Sequence, residues 1–244
     1  MPRPGELTYF RTIGEEGRRI SVNKPFSNNQ ARFFLDLGAL FSLLPPPPAR
    51  VLECGCGTGW VSRFLAKRGY EVVGQDCAQD AIDLARDNPM FIEPGAVSFE
   101  CSDYEDMSYH EEFDAVVFYA SLHHAQREDK ALRCAYAALK PNGVLIAVEP
   151  GLGHEKRVRW FAQKYDVLDR DMPPLRVTRL GKKIGFRKTR VFQHSGQLAS
   201  VLYGEAPHSK WLRFAWHLPG FRPLVLLGNL LFWKHLNGII WMQK

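Results

Sequence analysis

The apolar positions of this chain change period near residue 50. Before it, Phe33, Phe34, Leu37, Leu40, Phe41 and Leu44 recur on one helix face, which predicts an amphipathic helix over Ala31 to Leu44. Ser27-Asn-Asn-Gln30 supplies a capping box at its start, and Pro45 to Pro48 stop it. Residues 1–24 carry no clean period and read as irregular. After residue 50, short apolar runs alternate with helical stretches. Val51 to Cys54, Tyr70 to Gly74, Val97 to Cys101, Phe113 to Tyr119 and Val144 to Val148 read as strands. Between them, Val61, Phe64 and Leu65 mark one helix, Asp80 to Asp87 a second and Lys130 to Leu139 a third, the last stopped by Lys140-Pro-Asn-Gly143. Phe113 to Tyr119 is almost continuously apolar, as a parallel strand covered on both faces must be. The alternation predicts an α/β fold: a doubly wound, mostly parallel sheet with helices on both faces.

Composition narrows the class. A hydrophobic fraction of 45% and a charged fraction of 24% exclude disordered and collagen-like chains. No stretch approaches the roughly 18 apolar residues of a membrane span; Leu224 to Trp233, the longest candidate, is interrupted by Gly228 and Asn229. Met1-Pro-Arg-Pro-Gly5 lacks the apolar centre of a secretory signal, and five scattered cysteines suit a reducing cytosol. The expectation is therefore a cytoplasmic protein. The net charge of +6 is unevenly spread: residues 51–150 hold 8 basic against 17 acidic side chains, residues 151–244 hold 17 against 5. The basic last third suits either a solvated face or an anionic partner such as a phosphate-bearing substrate, a membrane surface or a nucleic acid.

Ligands of a doubly wound sheet bind beyond the carboxyl ends of its strands. The unusual residues sit there: Glu53 to Gly59, Asp76, Asp103, Tyr119 to His124, and Glu149. A dinucleotide fingerprint would need glycine at position 60, which is Trp60. Glu53 would repel a pyrophosphate but suits an ammonium or sulfonium group. Asp76 follows at the distance where a carboxylate takes both ribose hydroxyls. Cys54 and Cys56 have no second ligand pair at zinc spacing, so no metal site is expected.

With Val51-Leu-Glu-Cys-Gly-Cys-Gly-Thr-Gly59, Val72-Val-Gly-Gln-Asp76, Cys101-Ser-Asp103, Phe113-Asp-Ala-Val-Val-Phe118, Leu122-His-His124 and Leu139-Lys-Pro-Asn-Gly-Val-Leu145 in this order, residues 51–150 resemble a class I S-adenosylmethionine-dependent methyltransferase. The resemblance is greatest to the type-11 group that includes the ubiquinone and menaquinone C-methyltransferases. It implies a Rossmann-like seven-stranded sheet, with Pro174 to Phe186 as a helix and Lys188 to His194 and Asn237 to Gln243 as antiparallel sixth and seventh strands. It implies S-adenosylmethionine as cofactor, with Glu53 and the backbone of Gly55 and Gly57 at the methionine end. Asp76 would then take the ribose and Asp103 the adenine amino group, with Phe99 and Cys77 flanking the ring. Cys56, Gly59, Ser102, Tyr104 and Tyr119 complete the expected cofactor set. The group often has Asp at the position of Glu53, and Trp60 departs from its pattern.

The implied reaction is in-line methyl transfer, in which positioning does most of the work. His123, His124 and Tyr119 are the catalytic candidates, the histidines as a base or as packing against the cofactor. The expected organisation is one domain over 1–244: a helical cap (1–48), a cofactor core (49–195), an insertion or lid (196–236) and a last strand (237–244). Lys210-Trp-Leu-Arg-Phe-Ala-Trp-His217 and the apolar segment after it read either as a lid packed on the sheet or as a membrane-interface segment over 205–236. The expected acceptor is a small molecule, lipid or glycan, with a peripheral place at the inner face of a membrane for a lipid-linked one. The alternatives are a nucleic-acid methyltransferase and a non-catalytic cofactor-binding protein. The first is disfavoured because no Asn/Asp-Pro-Pro-Tyr/Phe motif follows the fourth strand and no RNA-binding module is appended.

Overall fold

The computed structural model describes residues 2–27, 30–90, 97–194, 214–236 and 238–244. Its strands are β1 (Arg50–Cys54), β2 (Glu71–Asp76), β3 (Val97–Cys101), β4 (Phe113–Tyr119), β5 (Leu139–Val148), β6 (Lys188–Gln193) and β7 (Gly238–Gln243). They form one sheet in the order β3-β2-β1-β4-β5-β7-β6. The first five pair in parallel. β7 runs antiparallel to both β5 and β6, so β7 alone is reversed and β6 points with the rest. That corrects the expectation of two antiparallel strands: β6 is antiparallel only to its neighbour.

The helices are α1 (Pro4–Thr12), α2 (Gly14–Val22), α3 (Gln30–Leu43), α4 (Trp60–Arg68), α5 (Gln79–Asp87), α6 (Glu128–Ala138), α7 (His154–Tyr165), α8 (Pro174–Ile184) and α9 (Phe221–Leu236). On one face of the sheet, Leu37, Leu40, Val61 and Leu65 from α3 and α4 meet Val51, Val117 and Ile146. On the other, Ala131, Leu132 and Val177 from α6 and α8 meet Leu52, Phe118 and Leu145. Neighbouring residues such as Val117 and Phe118 thus bury opposite faces, which is why β4 reads as an unbroken apolar run. Strand β5 extends back through Lys140 to Gly143, where a turn was expected. The Asp114 carboxylate anchors this stretch, receiving the Arg50 backbone N–H at 2.8 Å and the Lys140 ammonium at 3.0 Å.

Residues 1–24 are helical rather than irregular: α1, α2 and a short 3-10 turn over Lys24–Phe26. Neither helix has a sustained apolar face, and Gly5 is the only buried residue between them. They are held through tertiary contacts. Thr58 donates to the Ser21 carbonyl (2.8 Å), Asn88 to that of Val22 (3.3 Å), and the Leu168 N–H to Glu6 (2.8 Å). Helix α7 was not anticipated either, since it buries no residue and shows no apolar stripe. Of the 205–236 segment, residues 205–213, including Lys210 and Trp211, and the Trp233 side chain lie outside the described residues, as do Asn28 and Asn29 of the capping box. No helix among the described residues is long and apolar enough to cross a membrane.

Candidate cofactor and acceptor site

A cavity of about 280 Å³ opens over the carboxyl ends of β1, β2 and β4. Its floor is the β1 loop. Gly55, Gly57 and Gly59 hold φ of +73°, +53° and +72°, a region costly for any side chain. A Cβ on Gly55 would also sit 2.5 Å from that of Ser121, so β1 and β4 can approach only with glycine there. The first N–H groups of the loop are spent inside the protein: Gly55 and Cys56 donate to the Gln75 carbonyl (2.7 and 2.9 Å) and Gly57 to Asp76 Oδ2 (2.9 Å). Phosphate recognition needs those donors. What Gly55 has left to offer is carbonyl oxygen, which suits an ammonium.

Glu53 closes the deep end, buried and receiving the Ser62 hydroxyl. Burial pushes its carboxyl up to about 8, against the hydrogen bonds from Ser62. Lys24 lines the same end, and burial lowers its pKa. An amine and a carboxyl thus line one end of the cavity, a complement to the carboxylate and ammonium of a methionine moiety. Asp76 also lines the cavity; burial raises its pKa although Ala78 and Gly57 donate to it.

Of the expected cofactor set, Glu53, Gly55, Cys56, Gly57, Asp76, Cys77, Tyr104 and Tyr119 line the cavity. Gly59, Ser102 and Asp103 stand outside the lining. Gly59 packs against Phe99, whose ring therefore lies in the core beneath the loop. Asp103 receives the Glu105 N–H at 2.9 Å and the Ser102 hydroxyl turns to Glu100 at 3.4 Å.

The catalytic candidates part company. Tyr119 contributes to the lining, but its hydroxyl donates to buried Asp36 of α3 at 2.6 Å and its ring stacks edge-on against Trp60. Burial drives its pKa well up. Trp60 also meets Phe33 and Phe64, so it ties α3 and α4 to the cleft. His123 is buried behind the lining, with Nδ1 2.7 Å from Glu149. Burial lowers its pKa. Glu149 further receives the N–H groups of Ser121 and Leu122 at 3.1 and 2.9 Å, so it braces the turn after β4 rather than merely ending β5. His124 faces the cavity; burial opposes its charge, but Glu6, Asp169 and the Leu168 carbonyl outweigh it and raise its pKa.

The rest of the lining comes from chain distant in sequence: Glu6, Tyr9 and Phe10 of α1, Ser21 and Lys24, and Phe161, Val167 and Asp169 from and beyond α7. Tyr9 meets Phe161 and Tyr165 edge-on, so α1 and α7 form an aromatic roof. Sequence reasoning missed all of these, and no local motif marks them.

Residues 51–143 match the family model described as a methyltransferase domain. A ubiquinone biosynthesis O-methyltransferase of Xanthomonas axonopodis pv. citri is 33% identical over 106 residues, 42% of this chain and 44% of that protein. An S-adenosyl-L-methionine-dependent Diels-Alderase, iccD of Talaromyces variabilis, is 32% identical over 108 residues, 43% and 37% of the two chains. The chain thus spans less than half the length of these curated relatives. Phosphoethanolamine N-methyltransferase 2 of Haemonchus contortus, solved with S-adenosyl-L-methionine, superposes with a TM-score of 0.68 at 19% identity, covering 98% of this chain and 59% of that one. At that identity the likeness speaks for the fold. The matched relatives named for ubiquinone are O-methyltransferases, where the motif resemblance pointed to C-methyltransferases. Residues 51–143 are thus the part of this chain that matches the methyltransferase domain family.

Proposed function

We propose that the protein transfers the methyl group of S-adenosylmethionine to an oxygen of a small amphiphilic acceptor. The observation that carries this reading is one cavity with two unlike halves: Glu53, Lys24 and Asp76 beyond β1 and β2, and an aromatic roof of Tyr9, Phe10 and Phe161 near His124. The charged half suits the cofactor and the aromatic half a planar or prenylated acceptor. Glu53, Gly55, Gly57, Cys77 and Asp76 hold the cofactor; Asp103 and Ser102 would take part only if the adenine extends past the cavity lining. Tyr119 shapes the methyl pocket with its ring, since its hydroxyl is engaged by Asp36. His124 faces the acceptor, and His123 positions the turn that carries it. Oxygen as the accepting atom is favoured by the names of the curated relatives.

A membrane-borne acceptor is supported by α9. Leu224, Leu227 and Leu231, at helical spacing, are each more than half exposed, an apolar stripe among the described residues. The basic last third adds attraction to anionic headgroups. The protein then works peripherally at the inner face of a membrane. The test is a supply of methyl-labelled cofactor with cell-extract fractions. Label in the solvent-extractable lipid fraction supports the reading, and label in nucleic acid overturns it. A second reading, cofactor binding without methylation, draws on the relative named a Diels-Alderase. It predicts no release of S-adenosylhomocysteine with any fraction.

A further inference from the structure

The turn after β4 carries more chemistry than methyl transfer by positioning requires. His123, His124 and Asp169 each offer one ligand atom, and these atoms lie within 4.8 Å of one another. His123 Nδ1 is 2.7 Å from Glu149, which fixes its hydrogen there and leaves Nε2 with a lone pair. That Nε2 faces Asp169 Oδ1 at 3.6 Å, so two acceptors confront each other. Asp169, with 7% of its side chain exposed, pairs with His154 Nε2 at 2.6 Å, and its carboxylate keeps further acceptor capacity. His124 Nδ1 lies against the Leu168 carbonyl, which likewise fixes its hydrogen and frees Nε2. Imidazoles tied through one nitrogen to a carboxylate or carbonyl, with the other nitrogen free, are the usual supporting geometry of metal ligands.

We propose that His123, His124 and Asp169 hold a divalent cation of the manganese-to-zinc series on the wall of the cavity. Two imidazoles and one carboxylate favour that series over magnesium and calcium, which prefer all-oxygen sites. Sequence spacing gave no hint of it: the ligands come from the β4 turn and from a loop some 45 positions later, and the cysteines take no part. Three protein ligands leave coordination positions open, and His124 and Asp169 both line the cavity. The role of the cation rests on the methyl-transfer reading: an acceptor hydroxyl, or an adjacent pair of them, fills the open positions. Coordination acidifies the hydroxyl, which gives its proton to solvent. Its oxygen forms the bond to the methyl carbon, and the sulfur–carbon bond breaks with its electron pair left on sulfur.

Cobalt(II) is the probe. Purified protein is stripped with chelator and titrated with cobalt(II), while its visible absorption and bound metal are followed. Wild type is expected to bind one cobalt per chain with the visible bands of mixed imidazole and carboxylate ligation, and Asp169→Asn to bind it about tenfold or more weakly. No visible band in wild type overturns the proposal, whether or not the variant folds. So does an unchanged titration in a folded Asp169→Asn, which would leave a cluster of histidines and carboxylates sharing protons only. S-adenosylhomocysteine binding, measured on the same wild-type sample without metal, separates this result from the reading of the cavity as a cofactor site.

Discussion

Glu53 is a residue whose chemistry the fold changes strongly. Its carboxyl moves from an ordinary 4.5 to about 8 because it is buried. Raised in this way, it stays protonated in the folded chain between those values while the unfolded chain ionises, so its contribution to stability falls as pH rises through that window. Glu53→Gln is therefore expected to melt above wild type at pH 8–9 without cofactor, with the gap closing near pH 4, as scanning calorimetry over pH will read. A bound ammonium reverses the preference, because it favours the carboxylate. Cofactor affinity of wild type should rise with pH towards 8 and level off, whereas Glu53→Gln should bind weakly with a flat profile. Tyr119 makes a second case. Removing its hydroxyl leaves buried Asp36 short of a charge-assisted partner, so Tyr119→Phe should cost about 1.5–3 kcal/mol of stability. If the stability is unchanged and turnover alone is lost, the hydroxyl is catalytic and the positioning role is wrong.

At the scale of elements, the cap decides access. Helix α1 crosses the end of α7 at Gly5, where a Cβ would overlap the carbonyl oxygens of Tyr165 and Asp166. Gly5→Ala must push α1 away and open the aromatic roof. Overpacking of this kind costs about 1–3 kcal/mol, and the expected readout is weakened cofactor binding with the sheet's far-ultraviolet signal intact. Unchanged binding would show that α1 is not part of the site. This division also explains what was legible in sequence. Strands β1 to β5 and the acids Glu53 and Asp76 were readable because parallel strands are unbroken apolar runs and the acids stand at their ends. Helices α1, α2 and α7 were not, since they are stabilised by end-on contacts such as Leu168 to Glu6 rather than by an apolar face. Lys24, Tyr9 and Asp169 went unseen for the same reason: the site is completed by chain that no short motif spans.

For the whole molecule, the charge division and the stripe on α9 belong together. The acidic middle builds the cofactor side of the sheet, and the basic last third carries Leu224, Leu227 and Leu231 into solvent. Sedimentation with vesicles at low salt is expected to show binding to anionic vesicles, weakened by salt and by Leu227→Asp, with no change in melting temperature. A protein that ignores such vesicles has a soluble acceptor. The central claim, that the cavity over β1 and β2 is a cofactor site, is tested most directly by calorimetric titration of S-adenosylhomocysteine into wild type and Asp76→Ala. The account predicts one site per chain in wild type and a loss of about 1.5–3 kcal/mol, roughly ten- to a hundredfold in affinity, in the variant. Equal affinity in the two proteins would contradict it.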